Sequence, residues 1–384
     1  MELLRKWDCN VPTLRFAEFT DEWEKYELSH FVTRITRRNK NNKSSLPLTI
    51  SAQYGLVDQI SFFNKTVASV DLSGYYLLYN GDFAYNKSYS NDYAWGAVKR
   101  LDKYEKGCLS SLYFVFRPND NVDSDYLTHY FESSKWHKGI SNIAGEGARN
   151  HGLLNMSVDD YFATKHCLPS LPEQKKIARF FNAITRRIEI QNKIISKYET
   201  LIKGLCDMIF PSIEGSILPL KAIVSIEKGQ QINGMSLAKT GKYYYLNGGI
   251  APSGYIDDYN TSEETISISE GGNSCGFVSY NLQKFWSGGH CYTLKIMAEQ
   301  CRSKYLFFYL KYKEKDIMQL RVGSGLPNIQ KKSLENFNVK LPNYKKQCFV
   351  ERVFEVVTAK KEIENALLER FQSQKKFLLS KMFI

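Results

Sequence analysis

Residues 168–181 read LPSLPEQKKIARFF, and residues 341–354 read LPNYKKQCFVERVF. The two copies lie at a constant offset of 173 residues, and five positions are identical: Leu168/Leu341, Pro169/Pro342, Gln174/Gln347, Arg179/Arg352 and Phe181/Phe354. The same offset continues to Leu205/Leu378 and Phe210/Phe383, and it extends backwards to residues 153–156 (LLNM) and 326–329 (LPNI). The chain is therefore an internal duplication, and the duplication sets the architecture.

Each copy opens a long helix. Apolar residues at alternating spacings of four and three form the heptad seam of a coiled coil. In the first helix the seam positions are Ile177, Phe181, Ile184, Ile188, Gln191, Ile195, Tyr198, Ile202, Leu205 and Ile209. The second seam has a polar middle: Val350, Phe354, Val357, Lys361, Glu364, Leu368, Phe371, Lys375, Leu378 and Met382. Pro172 suits a first helical turn, and Pro211 is expected to end the first helix at Phe210.

The sequential copies are expected to pair antiparallel, because the intervening chain must return to its start. Equivalent middles then meet across a pseudo-two-fold axis. Gln191 and Glu364 occupy equivalent positions near these middles. We expect them to form a polar layer that fixes the register of the coiled coil, although Glu364 pointing to solvent remains an alternative.

Ahead of each helix lies a longer stretch that is poorly repeated, and we call residues 28–167 the first head and residues 220–340 the second head. Both read as short strands followed by a helix, near residues 124–137 in the first and 303–320 in the second. The predicted fold class is α+β, with two irregular strand-rich domains joined by two long antiparallel coiled-coil helices. The expected boundaries are 1–167 for the tail and first head, 168–210 for the first helix, 211–340 for the second head and 341–384 for the second helix.

Two kinds of loop in the first head have side chains suited to nucleic acid. A basic run between residues 33 and 43 is suited to phosphates, and amides, hydroxyls and a lysine alternating with rings are suited to base edges. The candidates are Arg34, Arg37, Arg38, Lys40, Gln53, Tyr54, Asn86, Lys87, Ser88, Tyr89, Trp95, Arg149 and Asn150.

The second head has four glycine-containing loops, at residues 247–249, 270–274, 286–290 and 321–325. Their glycines are expected to let the backbone approach a duplex closely, although turn formation alone also explains glycine. The candidates there are Asn247, Asn273, Ser274, Trp286, His290, Arg321 and Ser324.

Composition agrees with a polyanion as partner. The chain of 384 residues carries a net charge of +12, of which the two predicted helices hold +8. Such a surplus favours nucleic acid, while solubility and ordinary exposed helix faces are the alternatives. Eight cysteines without a close pair predict reduced thiols in the cytoplasm and no zinc site.

Motifs for autonomous catalysis are absent from the sequence. There is no GxxxxGK[ST] loop for ATP, no Asn-Pro-Pro-aromatic motif of amino-methyltransferases and no HExxH metal site. We therefore expect no catalytic site, no metal and no cofactor in this chain. The alternatives are an adaptor whose heads bind protein, and an enzyme with an unrecognised site.

The repeated LPSLPEQ element at residues 168–174, its second copy at Leu341-Pro342 with Gln347, and the two variable heads resemble the specificity subunit of type I restriction–modification systems. Residues 12–23 (PTLRFAEFTDEW) and 83–89 (FAYNKSY) also look like that family. The second copy departs from the pattern, with Tyr344-Lys-Lys346 in place of Leu171-Pro-Glu173.

The resemblance implies a function. Each head would be a target-recognition domain for one half of a split double-stranded DNA target, and the helices would fix the gap between the halves. Two methyltransferase subunits would bring S-adenosylmethionine and flip the target adenines, and motor–nuclease subunits would bring ATP and Mg²⁺. The implied location is the cytoplasm, with no membrane association.

Overall fold

The computed structural model describes residues 11–65, 67–90, 93–144, 152–234, 237–323 and 325–384. The chain divides into two compact units. Unit 1 comprises Met1–Asn192 and Leu367–Ile384, and unit 2 comprises Lys193–Ala366. Each unit therefore combines one head with parts of both long helices.

The first group of elements is the first head, in unit 1, and the first long helix, which is divided between the units at Asn192. They are β1 (Glu24–Glu27), α1 (Leu28–Phe31), β2 (Val32–Arg34), β3 (Leu48–Ser51), β4 (Gly55–Asp58), α2 (Gln59–Phe63), β5 (Tyr76–Tyr79), β6 (Phe83–Asn86), β7 (Ala97–Arg100), β8 (Lys106–Leu109), β9 (Phe114–Pro118), α3 (Ser124–Glu132), α4 (His137–Ile143), α5 (Val158–Phe162), β10 (Lys165–Leu168) and the long helix α6 (Leu171–Ser212).

The remaining elements form the second head and the second long helix. They are β11 (Ser216–Pro219), β12 (Val224–Lys228), β13 (Tyr243–Leu246), β14 (Gly254–Ile256), β15 (Thr265–Ser269), β16 (Val278–Asn281), β17 (Phe285–Ser287), β18 (Cys291–Ile296), α7 (Ser303–Tyr312), α8 (Glu314–Met318), α9 (Lys331–Glu335), β19 (Asn338–Leu341) and α10 (Tyr344–Met382).

The two heads contain the same central sheet, although their sequences resemble each other poorly. In unit 1 the strand order is β2-β9-β6-β7, and in unit 2 it is β12-β18-β15-β16. All neighbours in both sheets are antiparallel. In each unit a separate strand pair, β1 with β10 or β11 with β19, carries the chain into the long helix. The two heads are thus one fold with different sequences.

The predicted seams are the sides of α6 and α10 that are covered. Every one of the ten seam positions of each helix is buried or half-buried. Within unit 1, Phe181 near the start of α6 packs on Phe383 just after α10, with ring centroids 5.6 Å apart. Within unit 2, Phe210 near the end of α6 stacks on Phe354 near the start of α10, at 5.5 Å. The two helices therefore run antiparallel within each unit, as predicted.

A buried glutamine ties the head to the long helix in each unit. Gln174 accepts a hydrogen bond from the backbone N–H of Asp123 (2.8 Å) and donates to the carbonyl of Pro169 (2.9 Å). Gln347 accepts from the N–H of Arg302 (2.9 Å) and donates to the carbonyl of Pro342 (2.8 Å). Asp123 and Arg302 are the N-cap residues of α3 and α7. The glutamine of the repeated motif is therefore a structural lock on the helix that follows the central sheet.

The helices α3 and α7 carry the same aromatic pair into the core. Tyr126 and Tyr130 of α3 pack on Phe383, with centroids 5.4 and 5.9 Å apart. Tyr305 and Tyr309 of α7 pack in the same way on Phe210, at 6.4 and 5.6 Å. Burying such rings is a major term in the stability of a core.

Three local predictions need correction. The first long helix does not end at Phe210 but continues through Pro211 to Ser212. The proline removes one helix hydrogen bond, to the carbonyl of Asp207, but the helix ends one residue later and the Ser212 hydroxyl bonds the carbonyl of Met208 (2.8 Å). The head helix predicted at 124–137 ends at Glu132, and the one predicted at 303–320 is two short helices, α7 and α8.

The third correction concerns the backward extension of the repeat. Leu154 N–H bonds the carbonyl of Lys87 (2.9 Å), and Ile329 N–H bonds the carbonyl of Glu270 (2.8 Å). Leu154 is thus equivalent to Ile329, at an offset of 175 rather than 173. Unit 1 has two extra residues between this point and the following helix.

Candidate nucleic-acid interface

The four predicted loops of the second head converge at one end of its central sheet. The hydroxyls of Ser269 and Ser274 both donate to the carbonyl of Gly248, the latter at 2.6 Å. The N–H of His290 donates to Asn247 Oδ1 (3.1 Å). Gly272 N–H donates to the carbonyl of Pro327 (3.0 Å), which joins the fourth loop to the others. Candidates far apart in the sequence therefore form one surface.

A cleft of about 430 Å³ opens between these loops. It is lined by Lys228, Asn247, Glu270, Gly271, Gly272, His290, Leu326, Pro327 and Asn328. The lining offers amide and ammonium donors beside carboxylate and amide acceptors, which are the groups that read base edges.

The centre of the cleft is a buried carboxylate. Glu270 Oε1 accepts hydrogen bonds from Lys228 Nζ (2.6 Å) and from the hydroxyl of Tyr292 (3.1 Å). His290 Nδ1 lies 3.5 Å from Glu270 Oε2. Burial, and next the Glu270 carboxylate, raise the pKa of Tyr292 above its usual value, so its hydroxyl remains a donor. Lys228 and Glu270 were not among the predicted site residues, because a lone lysine and glutamate at strand ends give no sequence signal.

The glycines of two loops are explained by packing within the protein. A Cβ on Gly248 would lie 2.6 Å from the carbonyl oxygen of His290, and φ there is +77°. A Cβ on Gly288 would lie 2.5 Å from Asn247 Oδ1. At these two positions glycine is needed for the loops to contact each other, which favours the turn explanation over close approach to a duplex.

The other second-head candidates differ in exposure. Asn273 and Arg321 are exposed, whereas Trp286 is half-buried and donates from Nε1 to the carbonyl of Gln230 (2.8 Å). Ser324 lies outside the described residues.

The basic run of the first head divides into exposed and engaged side chains. Arg34, Arg38 and Lys40 are exposed. Arg38 also donates from Nη1 to the carbonyl of Gly74 (2.7 Å) and lies over the Tyr76 ring. Arg37 instead pairs with the fully buried Asp82, donates from Nε to the carbonyl of Leu77 (2.7 Å) and lies over the ring of Tyr79. These contacts give Arg37 a structural role in holding the buried carboxylate.

The loop after β6 is held by backbone bonds to residues 152–154. Tyr89 N–H donates to the carbonyl of Gly152 (2.9 Å), and Ser88 N–H donates to Asn86 Oδ1 (3.0 Å). Lys87 Nζ lies 5.3 Å from the centre of the Phe114 ring, and Tyr89 is exposed. This loop presents its polar side chains from a fixed backbone.

The hairpin of β3 and β4 presents exposed rings. Gln53 and Tyr54 are both exposed at its turn. Tyr54 lies beside Phe62 (6.4 Å between centroids), which with Phe63 forms an exposed aromatic group that the sequence reasoning missed. The group becomes visible only when helix α2 is placed beside the hairpin.

The remaining candidate residues of the first head and of the helices differ in burial. Trp95 is half-buried against the core, and its carbonyl accepts the Tyr85 hydroxyl (2.9 Å). Arg149 and Asn150 lie outside the described residues. Gln191 is buried in α6 and Glu364 is half-buried in α10, and the polar layer that we expect them to form stays a prediction.

Each unit also has a surface near the start of its long helix that combines basic and apolar side chains. In unit 1 it is lined by Phe16, Pro172, Lys175, Lys176, Arg179 and Phe180. In unit 2 it is lined by Met208, Ile209, Ser212, Ile213, Lys345, Lys346 and Phe349. The basic surplus of the helices is thus partly displayed on surfaces suited to an acidic partner.

Within the described ranges, no group of three or more His, Cys, Asp or Glu residues could hold a metal ion. Among the same residues, no helix is both long and apolar enough to cross a membrane. Six cysteines are free thiols, at positions 108, 206, 275, 291, 301 and 348. Cys167 is disulfide-bonded, which departs from the expectation that all thiols are reduced.

Comparison with known proteins finds similarity to specificity subunits. Residues 217–372 match the model of the type I restriction modification DNA specificity domain. A putative type I specificity subunit of Mycoplasma pneumoniae is 33% identical over 123 residues, which is 32% of this chain and 32% of that protein. A similar protein of Mycoplasma genitalium is 29% identical over 129 residues, so these two matches span about a third of each relative.

Two comparisons cover nearly the whole chain. The putative type I restriction enzyme MjaX specificity subunit of Methanocaldococcus jannaschii is 22% identical, over 97% of this chain and 95% of that protein. The crystal structure of a type I restriction–modification S subunit from M. genitalium aligns with a TM-score of 0.64 at 18% identity, over 97% of this chain and 99% of that chain. The predicted fold class and the resemblance to specificity subunits are both confirmed.

Proposed function

Since the chain contains a type I restriction modification DNA specificity domain within the fold of specificity subunits, we propose that it is the DNA-reading subunit of a type I restriction–modification complex. It binds a bipartite double-stranded target, with one head on each half. It directs methyltransferase and restriction subunits to that target and has no catalytic activity of its own.

The observation that carries this proposal is one sheet with two different sets of loops. The order β2-β9-β6-β7 recurs as β12-β18-β15-β16, whereas the polar side chains around the two sheets differ. A protein that keeps the support and varies the loops is suited to recognising two sites of the same kind but different sequence. An adaptor with two unlike protein partners would not need the same sheet twice.

Each head has the side chains for both parts of DNA recognition. In the first head, the exposed Arg34, Arg38 and Lys40 supply positive charge for phosphates, which sets position without reading sequence. The loop of Asn86–Tyr89 supplies groups for base edges. In the second head, the cleft around Glu270 supplies base-reading groups, and Lys228 and Arg321 supply charge.

The long helices are proposed as the spacer that fixes the unread gap between the half-sites. The domain division then follows the predicted bounds, with heads in 1–167 and 211–340 and spacer helices in 168–210 and 341–384. The basic and apolar surfaces at the helix starts are where we expect two methyltransferase subunits to dock. S-adenosylmethionine, ATP and Mg²⁺ would come with partner subunits, and the complex would act in the cytoplasm.

Methylome sequencing tests the proposal directly. A host that expresses this chain with its methyltransferase subunit should gain methylated adenines at one split motif. Exchanging residues 28–167 for the first head of another specificity subunit should change one half of the motif only, because the two heads fold around separate cores. The matched control exchanges residues 220–340 and should change the other half only.

Three outcomes would count against the proposal. Methylation that is unchanged when this chain is omitted would remove its role in addressing. A change of both half-sites by a single exchange would exclude independent reading. A purified chain that methylates or cuts DNA alone would overturn its non-catalytic role.

A further inference from the structure

The strands β6 and β15 hold the same place in the two central sheets, and the residue directly after each has opposite charge. Lys87 follows β6, and Glu270 follows β15. Their backbones have the same environment, since the carbonyl of Lys87 accepts from Leu154 N–H (2.9 Å) and the carbonyl of Glu270 accepts from Ile329 N–H (2.8 Å). The next residues form equivalent bridges, Ser88 with Leu153 and Gly271 with Asn328. Lys87 and Glu270 are therefore structurally equivalent positions.

The neighbouring ring differs together with the charge. Val32 faces Pro118 across the first strand pair of unit 1, and Val224 faces Ile296 in unit 2, so Phe114 of β9 is equivalent to Tyr292 of β18. Lys87 Nζ lies 5.3 Å from the Phe114 ring centre, a cation–π contact. Glu270 Oε1 accepts from the Tyr292 hydroxyl at 3.1 Å. Each unit thus supports its own charge with the ring that suits it.

The carboxylate of Glu270 is only half satisfied. Its side chain is 10% exposed and pairs with Lys228 through Oε1. Glu270 Oε2 is buried and has no hydrogen-bond partner among the described residues, although leaving a buried acceptor unpaired is destabilising. His290 Nδ1 lies 3.5 Å from it, and the His290 side chain is 64% exposed. Rotation of one mobile imidazole would open this acceptor to the cleft.

We propose that this strand-end position reads one base pair in each half-site, with opposite polarity in the two heads. Glu270 Oε2 accepts from the exocyclic amino group of cytosine or adenine in the major groove, after His290 turns aside. Lys87 donates to the O6 and N7 acceptors of guanine. This inference rests on the proposed function, and it adds which residues discriminate and by which hydrogen-bond direction.

The fixed backbone is the reason to place readout here. Both residues end a central strand that is paired on both sides, β6 with β7 and β9, and β15 with β16 and β18. A side chain on such a support keeps the geometry that base discrimination requires. The exposed candidates Arg34 and Arg38 lie outside such a doubly paired strand, because β2 is at the edge of the sheet and Arg38 follows it.

The test is competition binding with the complete complex of this chain and its methyltransferase subunits. Every base pair of the target is replaced in turn, and the wild type is compared with Glu270→Gln and Lys87→Met. Glu270→Gln keeps the shape but places a donor or a weaker acceptor in the cleft. It should lose about tenfold discrimination at one base pair in the half-site of the second head. Lys87→Met should lose a similar factor at one base pair in the other half-site.

Glu299→Gln and Lys103→Met, which change exposed residues of the same types, are the matched controls and should leave discrimination unchanged. A purely structural role for Glu270 would weaken binding to all duplexes by one factor and would overturn its part. If Glu270→Gln fails to fold, as judged by its thermal midpoint, unchanged base preference in Lys87→Met still overturns the inference. Wild-type complex that binds every duplex equally would instead overturn the proposed function itself.

Discussion

Unit 1 and unit 2 share their support and differ in what is inserted into it. Both insert strands at the same places, between the first and second strands of the central sheet along the chain and between its last two. In unit 1 these insertions pair antiparallel, as β5 with β8, whereas in unit 2 β13 pairs parallel with β17. The central sheet and the joint to the long helix tolerate this change of direction. The two units therefore keep the topology of the central sheet and differ in how the inserted strands pair.

The largest expected effect on the free energy of unfolding is at the aromatic residues near the ends of the long helices that pack in each core. Phe383→Ala should destabilise unit 1 by about 3–5 kcal/mol, because the ring is buried among Tyr126, Tyr130 and Phe181. Phe210→Ala should cost unit 2 a similar amount. Urea-induced unfolding, followed by limited proteolysis to tell the units apart, measures both effects.

Phe377 supplies the matched control for these two substitutions. It lies in α10 but is 56% exposed, so Phe377→Ala should change the free energy of unfolding by about 0.5 kcal/mol or less. If Phe383→Ala were as mild as this control, the equivalence of Phe383 and Phe210 would be broken.

A smaller effect is expected at the glutamine lock, and it should differ between the units. Gln347 donates to the carbonyl of Gln300 (2.8 Å) besides its bonds to Arg302 and Pro342, whereas the Gln174 side chain makes the two equivalent bonds and no third within the described ranges. Gln347→Ala should therefore cost about 2–3 kcal/mol and Gln174→Ala about 1–2 kcal/mol, from buried partners left unpaired. Thermal unfolding of both variants measures the difference.

Gln372 of α10 is exposed and controls for the change in helix propensity. Gln372→Ala should be neutral or slightly stabilising, because alanine is the better helix former. Equal loss in Gln174→Ala, Gln347→Ala and Gln372→Ala would mean that the motif glutamines do not lock the heads.

The long helices could be predicted from the sequence, because heptad spacing and a constant offset are properties of uninterrupted helices. The sheet that the two heads share could not be predicted, for two reasons. Buried strand positions need only apolar volume, so Phe83 and Phe116 are replaced by Ile266 and Leu294 without loss of the pairing. Insertions of different length then shift the offset from one strand to the next. The tyrosines of α3 and α7, at an offset of 179, were the signal that could have revealed the equivalence.

The candidate site was predictable in its loops but not in its charges. Glycine-rich and polar loops can be recognised from their composition, and loops of the second head contact one another. Whether an arginine is available depends on distant partners. Arg37 is engaged because Asp82, 45 residues away, is buried beneath it. The importance of Glu270 depends on a tyrosine 22 residues later and on Lys228 from another strand.

One buried residue gives the units different responses to acid. His166 of unit 1 takes the place that Val339 has in unit 2, at the offset of 173. The Thr164 hydroxyl donates to the carbonyl of Tyr161 (2.7 Å), so it accepts from His166 Nε2 (2.8 Å). Nδ1 of the neutral ring then accepts from the Tyr130 hydroxyl (2.8 Å). Burial lowers the pKa of His166 to about 3.

Unit 1 should therefore lose stability as the pH falls below about 6.5, the ordinary pKa of histidine in the unfolded chain. Below that pH the unfolded state binds a proton that the folded state does not, so the free energy of unfolding drops by about 1.4 kcal/mol per pH unit. Between pH 6.5 and 5 the loss should reach about 2 kcal/mol. Urea unfolding followed by tryptophan fluorescence reports on unit 1, where Trp23 and Trp136 are buried. His166→Val, which installs the residue of unit 2, should lower the stability at neutral pH but remove this slope. A slope that persists in His166→Val would assign the acid response to another group and end this difference between the units.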